Sequence, residues 1–146
     1  MPLANLETLT NQILADIQAD QVSLKTVEMY GGQLDFTDTQ RVNFKAPAVF
    51  VYSDGGTPSD HPDQKVIDIN WRFVAYIVCG SDKGSTHSKE ASDIAQSLMK
   101  LIKNNQWGLA PDVKRAVINR VQNAGSLNKL TIWSIDWSQA LKLACQ

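Results

Sequence analysis

Between Val66 and Gly80 the chain reads VIDINWRFVAYIVCG, with Ile67, Ile69, Trp71, Phe73, Ala75, Ile77 and Cys79 at every second position. Side chains alternate faces along a strand, so one face of this segment is apolar throughout. The other face starts polar, with Asp68, Asn70 and Arg72, and turns apolar at Val74, Tyr76 and Val78. Such a strand is about 45 Å long. The pattern predicts a central strand, half-covered at one end and covered on both faces at the other. The second cover is either another copy of the protein or one of its own terminal segments.

Helical spacing of Leu6, Leu9, Ile13 and Ile17, after Pro2, predicts a helix over 3–19. Leu24–Tyr30 and Gln33–Phe36 read as short extended segments around a Gly31-Gly32 turn. Ala46–Tyr52 reads as a buried strand. Ser53–Lys65 carries Gly55, Gly56, Pro58 and Pro62, and is expected to be a long hairpin loop without regular structure. A second helix is expected over 87–103, capped by Ser85 or Thr86, with Ala91, Ile94, Ala95, Leu98, Leu101 and Ile102 as its apolar stripe. Pro111 interrupts the following segment, and Val113–Val121 fits either a strand or a short helix. Leu127–Trp137 reads as a strand, followed by a short tail from Gln139.

Short connections between strands favour antiparallel pairing. The expected architecture is one α+β domain over 1–146, with two layers. A mainly antiparallel sheet of four or more strands carries two amphipathic helices packed on one face.

Composition narrows the function classes. The 146 residues carry 14 Lys and Arg against 15 Asp and Glu, a net charge of −1. That balance speaks against a specific nucleic-acid binder working by phosphate neutralisation, and against an anchor on acidic lipid. No apolar run approaches the length of a membrane span, and the amphipathic, acidic beginning of the chain lacks a secretion-signal pattern. The sequence thus reads as cytoplasmic. Cys79 reads as a small buried hydrophobe; pairing with Cys145 is left open.

No catalytic constellation emerges, and no cofactor is expected. Asp54, Asp60, His61 and Asp63 offer hard-cation ligands, but without EF-hand spacing; the plainer reading is a solvated hairpin tip whose Asp, Gly and Pro serve turn geometry. The Gly80–Ser85 run departs from the phosphate-loop pattern and reads as a connecting turn. His61 and His87 lack neighbours at ligand spacing. Lys114, Arg115 and Arg120, with Lys100 and Lys103 nearby in sequence, read as a solvated basic face. Of four tryptophans, Trp71 reads as core. Trp133 and Trp137 share one face of the last strand and read first as core, with a subunit contact as the alternative. Trp107 and Trp137 are the candidate interface anchors, and Trp137 is the one expected to be partly exposed.

The order of segments carries a resemblance. A helix leads into Val27-Glu28-Met29-Tyr30-Gly31-Gly32-Gln33-Leu34, then Pro47-Ala48-Val49-Phe50-Val51 and the long aromatic strand. A helix ending near Trp107-Gly108-Leu109 follows, and then Trp133-Ser134-Ile135-Asp136-Trp137-Ser138-Gln139. This resembles a family of small tail proteins of Mu-like phages and prophages, similar to tail-terminator and tail-completion proteins. The resemblance implies a non-enzymatic role in virion assembly, in the host cytoplasm and then in the tail. It implies a hexameric ring of copies on the end of the tail tube, touching the tube protein and a head–tail connector. On that reading Asp54, Gly55, Gly56, Val74, Tyr76, Val78, Trp107 and Trp137 are the candidate interface residues. Two other classes stay open: a small metal-dependent enzyme at the 54–63 loop, and a ligand-binding module on the open face of the sheet.

Overall fold

The computed structural model describes residues 2–30, 45–80, 85–127 and 130–145. Helix α1 (Glu7–Asp20) is followed by strands β1 (Thr26–Tyr30), β2 (Ala48–Ser59) and β3 (Val66–Gly80). Helix α2 (Ser85–Ile102) precedes β4 (Val117–Leu127) and β5 (Leu130–Ala144). The strands form one sheet in the order β1-β2-β3-β5-β4. Three of its ladders are antiparallel, and two helices pack on one face, so the expected α+β architecture is borne out.

The β3 alternation is realised as written. Phe73, Ala75, Ile77 and Cys79 are fully buried beneath the helices, with Leu9, Ile13 and Ile17 from α1 and Ala91, Leu98 and Ile102 from α2. Val74, Tyr76 and Val78 join Ala48, Phe50 and Ile132 in a second cluster on the opposite face. The first seven residues of β3 are exposed or half-buried, whereas the next seven are buried. A half-covered end and a doubly covered end are what the sequence pattern demanded. Because Val74, Tyr76 and Val78 are 8%, 7% and 1% exposed within one chain, no neighbouring copy is needed to cover them.

Several expectations are corrected. β1 pairs with β2 in parallel, through Thr26↔Ala48 to Tyr30↔Tyr52. The 31–47 stretch between them is long enough for the crossover that a parallel pair requires. The expected strand at Gln33–Phe36 and the turn at Gly31-Gly32 lie outside the described residues. Leu3 is not helical: its N–H donates to Lys142 O at 3.0 Å, and its carbonyl accepts from Ala144 N–H at 2.8 Å. The segment after Gln139 is no loose tail, because β5 stays in register with β3 as far as Val66↔Ala144. Val117–Leu127 settles as a strand, hydrogen-bonded to β5 on one side.

The 53–65 segment is only partly loop. β2 continues to Ser59, and its ladder to β3 is interrupted by an irregularity between Ser53 and Gly56. Gly55 lies at φ +87°, a conformation that side chains with a Cβ rarely adopt. At Gly56 a Cβ would stand 2.6 Å from Asn70 O, so the facing backbone tolerates only glycine. The two glycines that read as turn formers thus build a β-bulge that lets the strand continue.

Candidate functional site

The helix-free face of the sheet carries a row of charges across four strands. Asp54 on β2, Arg72 on β3, Asp136 on β5 and Arg120 on β4 alternate in sign. The Arg72 guanidinium lies 3.5 Å from Asp54 Oδ2 and 3.7 Å from Asp136 Oδ2. Arg120 stands directly opposite Asp136 in the β4–β5 ladder. With Tyr52, Tyr76, Gln122 and Ser134, the three ion-pairing residues line a trough of about 270 Å³. Burial raises the Asp136 carboxyl above the usual carboxylate range; Arg72 and Arg120 pull the other way, and Asp54 adds to the rise. Desolvation outweighs both guanidiniums at this position.

Beyond the bulge, β2, β3 and the end of β5 form a three-stranded arm. Val113 and Leu3 bridge to Leu141 and Leu143 at its flank. A depression of about 540 Å³ runs along the arm between Thr57, Asn70, Lys114 and Ala140. At the tip, Asp60, His61 and Asp63 line a third hollow of about 610 Å³. His61 Nδ1 accepts from Asp63 N–H at 2.9 Å, and Asp63 Oδ1 accepts from Lys65 N–H at 2.9 Å. Both side chains are used in shaping the turn. Asp54 is not with them; it pairs with Arg72 on the sheet face. Among the described residues no three His, Cys, Asp or Glu side chains stand where one metal ion could be held. The side chain of His87 lies outside the described residues.

The tryptophan expectations are corrected in part. Trp137 is fully buried and Trp107 is 1% exposed, so neither is partly exposed. Trp137 stacks on Phe73 at 5.3 Å between ring centroids. Trp71 is half-buried, and its indole N–H donates to Ser53 Oγ. The residue missed in the sequence is Gln139. It is fully buried, and its Oε1 accepts from Trp107 Nε1 at 3.0 Å and Trp137 Nε1 at 3.2 Å. Its Nε2 donates to Asn105 O at 2.9 Å and to Lys114 O. One carboxamide thereby fastens the 104–116 connection to the sheet.

Cys79 and Cys145 are both free thiols at opposite ends of the β3–β5 ladder, about 40 Å apart, which excludes a disulfide between them. No helix among the described residues is long and apolar enough to cross a membrane.

No family model matches the chain, and no curated protein matches it. Solved structures do. A chain from the virion of a native gene transfer agent particle aligns over 92% of this chain and 91% of its own length, with 11% identity and a TM-score of 0.55. A second solved chain aligns over 91% of this one and 89% of itself, with 17% identity and a TM-score of 0.57. At these identities the likeness is one of fold.

Proposed function

We propose that this protein is a structural component of a phage-type virion. Within that class we assign it to the tail-terminator or tail-completion proteins, as a ring of copies closing the head-proximal end of the tail tube. The observation that carries the reading is the fold shared along nearly its whole length with a chain of the gene transfer agent virion. The order of sequence segments supports the narrower assignment. Its role is to present surfaces rather than to catalyse, and the scattering of Asp54 away from Asp60, His61 and Asp63 favours this over a metal enzyme.

In this reading the bulged arm, with Asp54, Gly55 and Gly56 at its root, meets the tail tube protein. It extends past the doubly buried part of the sheet, and its strands expose side chains that the helices do not cover. The head–tail connector meets the opposite surface of the ring.

The test is assembly. Tail tubes polymerised with and without the purified protein are imaged by cryo-electron microscopy, and free protein is measured by native mass spectrometry. Density capping one tube end and tubes of limited length are expected. Tubes that grow without limit and end bare in the presence of excess protein would refute the assignment.

A further inference from the structure

The near-neutral net charge conceals a lateral separation of charge. Residues 2–30 form α1 and the edge strand β1 with their connections, and hold Glu7, Asp16, Asp20 and Glu28 against Lys25. Exposed Lys45, whose backbone N–H donates to Thr26 Oγ1, adds one further cation at this edge. Residues 100–121 form the end of α2, the connection and much of the opposite edge strand β4. They hold Lys100, Lys103, Lys114, Arg115 and Arg120 against Asp112 alone. All five basic side chains are exposed; Arg120 faces Asp136 across the β4–β5 ladder, and the other four make no ion pair among the described residues. Glu7, Asp20 and Glu28 are exposed as well. Lys103 belongs with the β4 edge, because the N–H of the adjoining Asn104 donates to Ala116 O at 3.1 Å. α1 packs on β1 while α2 packs on β3, β5 and β4, so the two charge groups flank the sheet on opposite sides.

A closed ring needs a heterologous contact, one surface of a copy meeting a different surface of the next. Complementary potentials fix such a register and suppress wrong pairings. We propose that the acidic α1–β1 flank of one copy docks on the basic β4 flank of a second copy, head to tail. The inference rests on the ring reading above and names its surfaces. A basic flank alone would also suit a nucleic acid. The acidic counterpart on the same molecule, at the opposite edge, is what favours a second copy.

Two charge-reversed proteins test it. Lys103→Glu, Lys114→Glu and Arg115→Glu together make both flanks acidic. Asp16→Lys, Asp20→Lys and Glu28→Lys make both basic. Circular dichroism checks each fold, and assembly is followed by light scattering and native mass spectrometry, alone and on tail tubes. Each variant alone is expected to lose self-association at least about tenfold. An equimolar mixture is expected to restore it, as rings in which the two alternate. Wild-type assembly should weaken as salt is raised, because exposed charge pairs are screened. Assembly of either variant at wild-type strength, or a mixture that stays dissociated, overturns the flanks as the interface while leaving the ring reading intact. A wild-type protein that stays monomeric on and off tubes overturns both. Retention of duplex DNA by the basic flank, without self-association, overturns the inference in favour of a nucleic-acid partner.

Discussion

Trp107 Nε1 donates to Gln139 Oε1 at 3.0 Å across 32 residues of sequence, and both side chains are buried. A second indole, that of Trp137, shares the same oxygen. The amide nitrogen of Gln139 serves two backbone carbonyls of the connection between α2 and β4. Both polar atoms of this carboxamide are thus bonded, and they add to the backbone bonds from Lys114 N–H to Ala140 O and from Lys142 N–H to Asp112 O that tie the same connection to β5.

Replacing Gln139 with Leu leaves two indole N–H groups and two carbonyls without this partner in a dry site. Unsatisfied buried groups cost about 1–3 kcal/mol each, partly relieved by relaxation. We expect a loss of about 3–5 kcal/mol in urea unfolding, with earlier hydrogen exchange in 104–116 than in β3. A loss below about 1 kcal/mol would show that the connection is held by other contacts.

Gly56→Ala is expected to be more damaging than its chemistry suggests, because its methyl would meet Asn70 O at 2.6 Å. The bulge must shift or open, at about 1–3 kcal/mol. Gly55→Ala meets no atom within 4 Å, so its cost of about 1 kcal/mol comes from its positive φ alone. Thermal unfolding of the two variants should rank them in that order.

Burial pushes the Cys79 thiol up to about 12, and Glu90 adds to the rise. In the unfolded chain the same thiol ionises near 9.0. Above that pH the unfolded state binds fewer protons than the native one, so stability falls as pH rises, by at most about 1.4 kcal/mol per pH unit from this group. Wild type should therefore lose stability faster than Cys79→Ala between about pH 9 and 11. Exposed Cys145, by contrast, should take up iodoacetamide at about pH 8 while Cys79 stays unmodified until the protein unfolds.

Asp136 gives a second pH signature, of the same sign at lower pH. Its carboxyl is held above the usual range, chiefly by burial, so the unfolded chain releases this proton first as pH rises. Protonated Asp136 favours the fold, and that advantage is lost as pH climbs through the carboxylate range to the native value. The stability difference between wild type and Asp136→Asn should therefore move in favour of the variant from about pH 3 to pH 7. A difference moving the other way would show that Arg72 and Arg120 dominate the site instead.

What the sequence determined by itself was local and periodic. The alternation from Ile67 to Cys79 fixed a strand, its two faces and the point where its outer face turns apolar, because a period of two leaves no other arrangement that hides those side chains. The stripe of Leu9, Ile13 and Ile17 fixed α1 in the same way. The tertiary structure decided whatever depends on partners distant in the chain. The role of polar Gln139 gave no signal, since three of its four hydrogen-bond partners lie in the 104–116 connection, distant in the chain. Asp54 and Asp60 lie six residues apart, yet the bulge at Gly55 and Gly56 sends one to Arg72 and the other to the arm tip. The direction of β1 against β2, the burial of Trp137 and the placing of acidic and basic flanks on opposite edges all follow from strand order. Strand order is set by which long-range pairings bury the most apolar surface, and no window of neighbouring residues contains that information.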